Sequence, residues 1–380
     1  SEFNSQALAN TAWAFSVHGV LDNPLFDAIS LAAQPCISQF EVQGLANIAW
    51  AWSTVALEDP PLFTALALAA KFRLSEYAVQ NLANTAWAFA VITDVTSKPL
   101  LEAIALESLK RIDKFLGAAH PSTDSVEVLQ SFCTFILSVA WSLGFSNVLE
   151  DQHIRRFEVA LRNLSSQMDA RSQGQEGLSG KLGRSSRRDG SMMPSLLLRL
   201  RGIITIYKPP DWEVDDSTAE PGEHLQLSTY IQSIFNQIDF PLVWDAEQSH
   251  GFLHRLDIPS SGLVLCGTNF EGYYCLRLQL DTHQLHREYI VVSHGLASAM
   301  LQEISARVNV APDPTQRKSI SDSGRPSRTR LRIAAHLQSN NAADCKLSVT
   351  TIRIATGRRH QIRAHLRYAD HPSAVDARYT

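Results

Sequence analysis

The string HRLDIPSSGL, from His254 to Leu263, sets one carboxylate between an apolar approach and a turn. Gly251, Phe252 and Leu253 lead into it, and the Pro-Ser-Ser-Gly run that follows bends the chain away. Such a loop can hold Asp257 at the edge of a sheet, half-buried and open to chemistry. By spacing alone, Asp257 fits an N-cap or an ion-pair partner of Arg255 equally well.

The flanking sequence has the texture of an α+β domain. RGIITIYKPP (201–210) is β-branched and ends in a proline pair, the pattern of a strand followed by a turn. Further strands are expected at 262–268, 287–295, 328–337 and 346–356, and helices at 273–286 and 360–370. Downstream stands TGRRHQIRAH, from Thr356 to His365, and then His371, Pro372, Asp376 and Tyr379.

Together these strings resemble the RluA-type pseudouridine synthases. HRLD with Ser-Ser-Gly-Leu is similar to the family's first signature, and Lys208-Pro209 to the end of its opening strand. Arg287-Glu288-Tyr289 resembles its second motif, and TGRRHQIRAH its third. The resemblance covers about 180 residues. It implies a pseudouridine synthase fold with a mixed, largely antiparallel sheet, acting on tRNA, rRNA or organellar RNA.

The resemblance also implies residue roles. Asp257 stands where the family has its catalytic carboxylate, Tyr289 where it has the tyrosine stacked on the target base, and Arg363 where it has the arginine paired with that carboxylate. Arg255 is expected to help hold the RNA with the base extruded, His254, Lys208 and Arg358 to bind substrate, and His360 and Gln361 to bind substrate or to orient it or the backbone. The sequence departs from the pattern at Val375 and Thr380, where the family has glycines, and at Ser260-Ser261, where it has Thr-Ser. The resemblance further implies that the catalytic domain is cut short at Thr380.

Pseudouridylation breaks the N1–C1′ bond, turns the base and joins C5 to C1′, so the nucleotide must leave the helical stack. An ionised aspartate can attack C1′ or take the C2′ proton, and the sequence leaves both routes open. Either route needs a charged carboxylate, which a guanidinium favours. Neither needs a metal or another cofactor. His360, His365, His371 and Asp376 lie close in sequence and His283 and His286 form an HxxH, but histidines five apart do not share a helical face, so no metal site is expected.

The N-terminal part repeats. QALANTAWAF from Gln6, QGLANIAWAW from Gln43 and QNLANTAWAF from Gln80 recur every 37 residues. Pro-led apolar runs at Asn23, Pro60 and Lys98 alternate with them, and Pro24, Pro61 and Pro99 suit a first helical turn. In the third copy, Leu82, Ala86, Phe89 and Ala90 form one stripe and Ala83, Trp87 and Val91 another. A helix apolar on two faces needs cover on both, as stacked hairpins provide. An all-α helical-hairpin solenoid is therefore expected over residues 1–164, with a degenerate copy near Trp141. The LANTAWAFA string resembles the octotricopeptide and heptatricopeptide repeats, which implies RNA binding in a mitochondrion or plastid; a generic scaffold is the plainer alternative. Residues 165–198, rich in Ser, Gly, Gln and Arg, are expected to be a flexible linker, and 199–380 the catalytic domain.

Charge is uneven. Residues 1–120 carry 6 basic and 11 acidic side chains, 121–249 carry 11 and 17, and 250–380 carry 17 and 10. A basic C-terminal segment suits a polyanion, whereas the acidic start counts against phosphate contacts there. Five scattered cysteines without a CxxC pair argue for a reducing compartment rather than a disulfide framework. No run of 18 apolar residues appears, so no membrane partner is expected. The chain begins at Ser1 and enters repeat-like sequence at once, as a fragment would. The competing functional reading is a non-catalytic RNA-binding repeat protein with a decayed synthase domain.

Overall fold

A computed structural model describes residues 3–92, 97–117, 125–172, 192–215, 225–309, 320–321, 324–338 and 346–376. The chain divides into two compact units. One comprises Ser1–Ser108, Trp141–Leu149 and His283–Thr380, and the other Leu109–Ala140 and Glu150–Thr282.

The N-terminal region is helical: α1 (Ser5–Val17), α2 (Asn23–Ala33), α3 (Val42–Val55), α4 (Pro60–Lys71), α5 (Val79–Val91), α6 (Ser97–Gly117), α7 (Val126–Phe145) and α8 (Asp151–Ser172). The local signals act as the sequence suggests. Asn4, Asp22 and Asp59 cap α1, α2 and α4 by accepting from the amides of Ala7, Leu25 and Leu62, and prolines fill the first turns of α2 and α4. Helix α1 packs against α3 and α3 against α5, while α2 and α4 contact α1 and α3 in turn. Phe26 of α2 meets Trp52 of α3 edge-on at 4.9 Å and Phe63 of α4 meets Phe89 of α5 at 5.1 Å, so successive hairpins are joined through buried aromatics. The stripe Leu82, Ala86, Phe89 and Ala90 is buried, as are Ala83 and Val91 of the second stripe. Trp87 stays half-exposed.

Among the described residues, α7 is the one helix long and apolar enough to cross a bilayer. Leu129, Cys133, Ile136, Val139, Ala140 and Leu143 of α7 are buried in the protein, as in a core helix.

Residues 165–198 are not simply a linker. Residues 165–172 complete α8, 195–198 belong to a strand, and 173–191 lie outside the described residues. The polar composition of 165–172 is that of a helix with one wet face. Ser165 and Met168 turn inward and are fully buried.

In the second unit, β1 (Ser195–Leu200), β2 (Ile203–Lys208) and β5 (Gly262–Gly267) form an antiparallel sheet in the order β1-β2-β5. Between them lie β3 (Trp212–Glu213) and β4 (Leu225–Gln226), a short parallel pair, and α9 (Leu227–Ile234). Helix α10 (Phe270–Asp281) follows β5 and packs on both β5 and α8. Its first turn is fastened twice. Asn269 Oδ1 accepts from the Gly272 amide at 2.9 Å, and Asp169 of α8 accepts from the Phe270 and Glu271 amides at 2.8 and 3.1 Å. Gly272 lets α10 lie on the β1–β2 turn, because a Cβ there would stand 1.9 Å from the Gly202 carbonyl oxygen.

In the first unit, β6 (Arg287–His294), β7 (Glu303–Ser305), β8 (Arg328–Gln338) and β9 (Lys346–Ile354) form a sheet in the order β6-β9-β8-β7, with every pairing antiparallel. Helix α11 (Gln361–Tyr368) covers it through Leu366, which joins Ile304, Leu331, Ile352 and Ile354 in the core. All the strands and helices expected after residue 200 are present, within a few residues of their expected bounds.

Candidate active site

Strand β2 alternates strictly. Ile204 and Ile206 are buried on one face, and Lys208 is the next residue on that face, fully buried. Its ammonium donates to three backbone carbonyls: Trp212 at 2.6 Å, Pro209 at 3.0 Å and Ile258 at 3.1 Å. Burial pulls its pKa down to about 8, against the opposing pull of Asp211, Asp257 and Glu213. Three donors and three acceptors leave no hydrogen for a ligand. Lys208, expected to touch substrate, instead pins the loop that carries Asp257 by gripping the next residue's carbonyl.

That loop is held at further points. Asp211, with φ of +66°, donates its amide to the Ile258 carbonyl at 2.9 Å, and the Ser260 amide donates to the Asp257 carbonyl at 2.9 Å. Upstream, the Leu265 amide of β5 donates to His254 Nε2 at 3.3 Å, so this ring also serves the loop's position. Asp257 sits half-buried at the turn before β5, and Arg255 is exposed. The Arg255 guanidinium lies 3.5 Å from the buried carboxylate of Glu213, a partner that the sequence did not reveal.

The remaining expected residues belong to the first unit. Tyr289 is on β6, half-buried against the core cluster of the four-stranded sheet, on the same face as Arg287. Gln361 is 2% exposed and uses both ends of its carboxamide. Its oxygen accepts from Thr356 Oγ1 at 2.8 Å and the Arg358 amide at 3.1 Å. Its nitrogen donates to Thr329 Oγ1 at 3.0 Å and the Arg328 carbonyl at 3.1 Å. Of the two roles expected for it, substrate or backbone, Gln361 shows the second: it is a buried hub that ties the start of α11 to β8. His360, at φ +56°, is the N-terminal boundary residue of α11 and turns the chain sharply between Arg358 and Gln361.

Arg363 donates from Nε and Nη2 to the two carboxylate oxygens of Asp376, each at 2.6 Å. This two-pronged pair fastens the segment after α11 to the helix. His365, fully buried, lies 2.8 Å from Thr329 Oγ1 through Nδ1 and 3.1 Å from the Ala306 carbonyl through Nε2. Its burial lowers its pKa, so the ring is neutral near pH 7.

Cations gather beside this motif. Burial, with Arg325 and Arg287 close by, lowers the Arg358 pKa to about 10. Among the described residues its Nε is buried without a hydrogen-bond partner. His283 is likewise held below its usual pKa by burial and by Arg287, Arg328 and His286. Like charges this close, partly desolvated, favour an anion in their midst. Among the described residues no group of three or more His, Cys, Asp or Glu side chains is placed to hold a metal ion.

Residues 203–368 match the family profile described as RNA pseudouridylate synthase. Ribosomal large subunit pseudouridine synthase D of Xylella fastidiosa is 30% identical over 131 residues, 34% of this chain and 37% of that protein. tRNA pseudouridine synthase C of Haemophilus ducreyi is 26% identical over 189 residues, 48% of this chain and 73% of that protein. The human RNA Pseudouridylate Synthase Domain Containing 1 structure aligns over 51% of this chain and 73% of its own, with TM-score 0.39 and 22% identity. The chain spans about half or less of the length of most of the curated relatives it matches. The C-terminal half thus carries an RNA pseudouridine synthase domain.

Proposed function

We propose that this protein isomerises uridine to pseudouridine in structured RNA, with Asp257 as the catalytic carboxylate. The observation that carries the reading is the Asp257 loop itself. One half-buried carboxylate is set on a turn whose next carbonyl is gripped by the buried Lys208 ammonium, within a sequence matched to the synthase family. A carboxylate so held can meet C1′ or the C2′ proton of an extruded nucleotide without reorganising. Tyr289 offers a stacking face for the base. Arg363, whose guanidinium is fixed by Asp376, takes the role of the arginine that the resemblance implies for the carboxylate, and Arg255 holds the strand from which the base has left. The Arg287, Arg325 and Arg358 group takes RNA phosphate. The substrates are tRNA, rRNA or organellar transcripts, and the N-terminal helices form a helical-hairpin solenoid.

The test compares wild type with Asp257→Asn on bulk RNA, reading pseudouridine by chemical labelling and primer-extension stops. Discrete stops with wild type and none with the variant, at equal RNA binding, support the reading. RNA binding by both without any pseudouridine overturns it in favour of a non-catalytic RNA-binding protein.

A further inference from the structure

The three repeat helices α1, α3 and α5 each show the same three side chains on one face. Gln6, Asn10 and Trp13 on α1 correspond to Gln43, Asn47 and Trp50 on α3, and to Gln80, Asn84 and Trp87 on α5. Steps of four and then three residues keep such a triplet on one side of a helix. Because α1 packs on α3 and α3 on α5, the triplets stand side by side as rungs. The Trp50 and Trp87 ring centroids are 6.5 Å apart with the planes tilted by 41°.

This face is not the core face. Leu8, Leu45 and Leu82 of the same helices are buried, whereas Trp13 is 45% exposed, Asn10 is exposed, and Trp50 and Trp87 are half-exposed. Among the described residues the side chains of Asn10 and Asn47 and the three indole N–H groups have no hydrogen-bond partner, while Asn84 accepts from Gln80 at 2.9 Å. A repeated indole and a repeated carboxamide, exposed on α1 and part-exposed on α3 and α5, form a surface built to be covered.

We infer that this ladder docks an extended, lysine- or arginine-rich segment of a partner protein. A carboxamide carries both a donor and an acceptor and so matches a peptide group. An extended chain turns every second side chain to the same side, advancing about 6.6–6.8 Å per pair of residues. That repeat is close to the 6.5 Å between the Trp50 and Trp87 rings. Indole faces attract cations. The charge of the region selects this occupant over nucleic acid: residues 3–92 contain 2 basic and 6 acidic side chains. One of the two basic residues, Arg73, is spent on Glu76 and on the Phe40 carbonyl. A polyanion finds few cations here, whereas a cationic strand finds a favourable field. The inference is independent of catalysis in the C-terminal half.

The test measures fluorescence anisotropy of the full chain with two labelled probes, a synthetic peptide of alternating lysine and alanine, and oligouridine. The variants are Trp13→Ala and Asn10→Ala, both at exposed positions, with circular-dichroism melting to show that each is folded. The expected result is salt-sensitive peptide binding, weakened by each variant by roughly three- to tenfold, with oligouridine affinity unchanged. Peptide affinity that is absent, or equal in wild type and variants, overturns the inference. So does a loss of oligouridine affinity in the variants, which would assign the ladder to single-stranded RNA.

Discussion

Arg363 and Asp376 are joined by two hydrogen bonds of 2.6 Å each, and the residue before Asp376 is a valine in the left-handed region, at φ +59°. Val375 is 98% exposed, so its side chain gains nothing from burial while its β-branch clashes with its own backbone. Val375→Gly should remove that strain and stabilise the protein by about 1 kcal/mol. A chemical-denaturation midpoint at or below the wild-type value would show that the strain is absent.

Lys208 should prove structural. Lys208→Met keeps much of the volume on the core face of β2 but leaves the Pro209, Trp212 and Ile258 carbonyls without their shared donor. The expected loss is about 3–5 kcal/mol, from several buried acceptors each costing about 1–3 kcal/mol. Equilibrium unfolding checks this, and an unaltered midpoint would return Lys208 to the substrate-contact role.

Gln361 makes the same argument for the other unit. Gln361→Ala deletes four hydrogen bonds at a buried position. It should cost about 2–4 kcal/mol. RNA affinity of the folded fraction should stay at the wild-type level, as a filter-binding measurement below the melting temperature would show. A large affinity loss with unchanged melting would contradict the hub role.

His365 makes stability depend on pH. Its folded pKa is lowered by burial from the ordinary 6.5, so in mildly acidic solution the unfolded chain binds a proton that the folded protein does not. Stability from this group is therefore complete above about pH 6.5 and falls as the pH drops from there towards the lowered folded value. Melting temperatures should decline on acidification in wild type and decline less in His365→Asn. Parallel curves would remove His365 as the cause.

Asp169 should couple α8 to α10. Asp169→Ala leaves the Phe270 and Glu271 amides of α10 uncapped and should cost about 1–2 kcal/mol, with Asp169→Asn costing less. Equal stability of all three proteins by thermal melting would mean that water replaces the cap.

Much of this was legible in one dimension, because the signals concerned are local. The 37-residue recurrence marked the repeat helices, and Pro24 and Pro61 marked the first turns of α2 and α4. A β-branched run ending in a proline pair marked β2. Strict alternation in IITIYK already put Lys208 on the buried face of Ile204 and Ile206. The family resemblance, by contrast, implies a substrate contact for Lys208.

What only the tertiary structure decided are the partners brought together across long separations. Lys208 finds Ile258, Asp169 finds the start of α10, Glu213 finds Arg255, and Gln361 finds Thr329 and Arg328. The sequence by itself determined which residues are apolar, which can turn the chain and which can carry charge, since these are properties of each residue and its near neighbours. Whether a given lysine, glutamine or aspartate serves the substrate or the backbone depends on which carbonyls and amides the folded chain leaves without partners. That balance of buried donors and acceptors exists only once the strands and helices have closed over them.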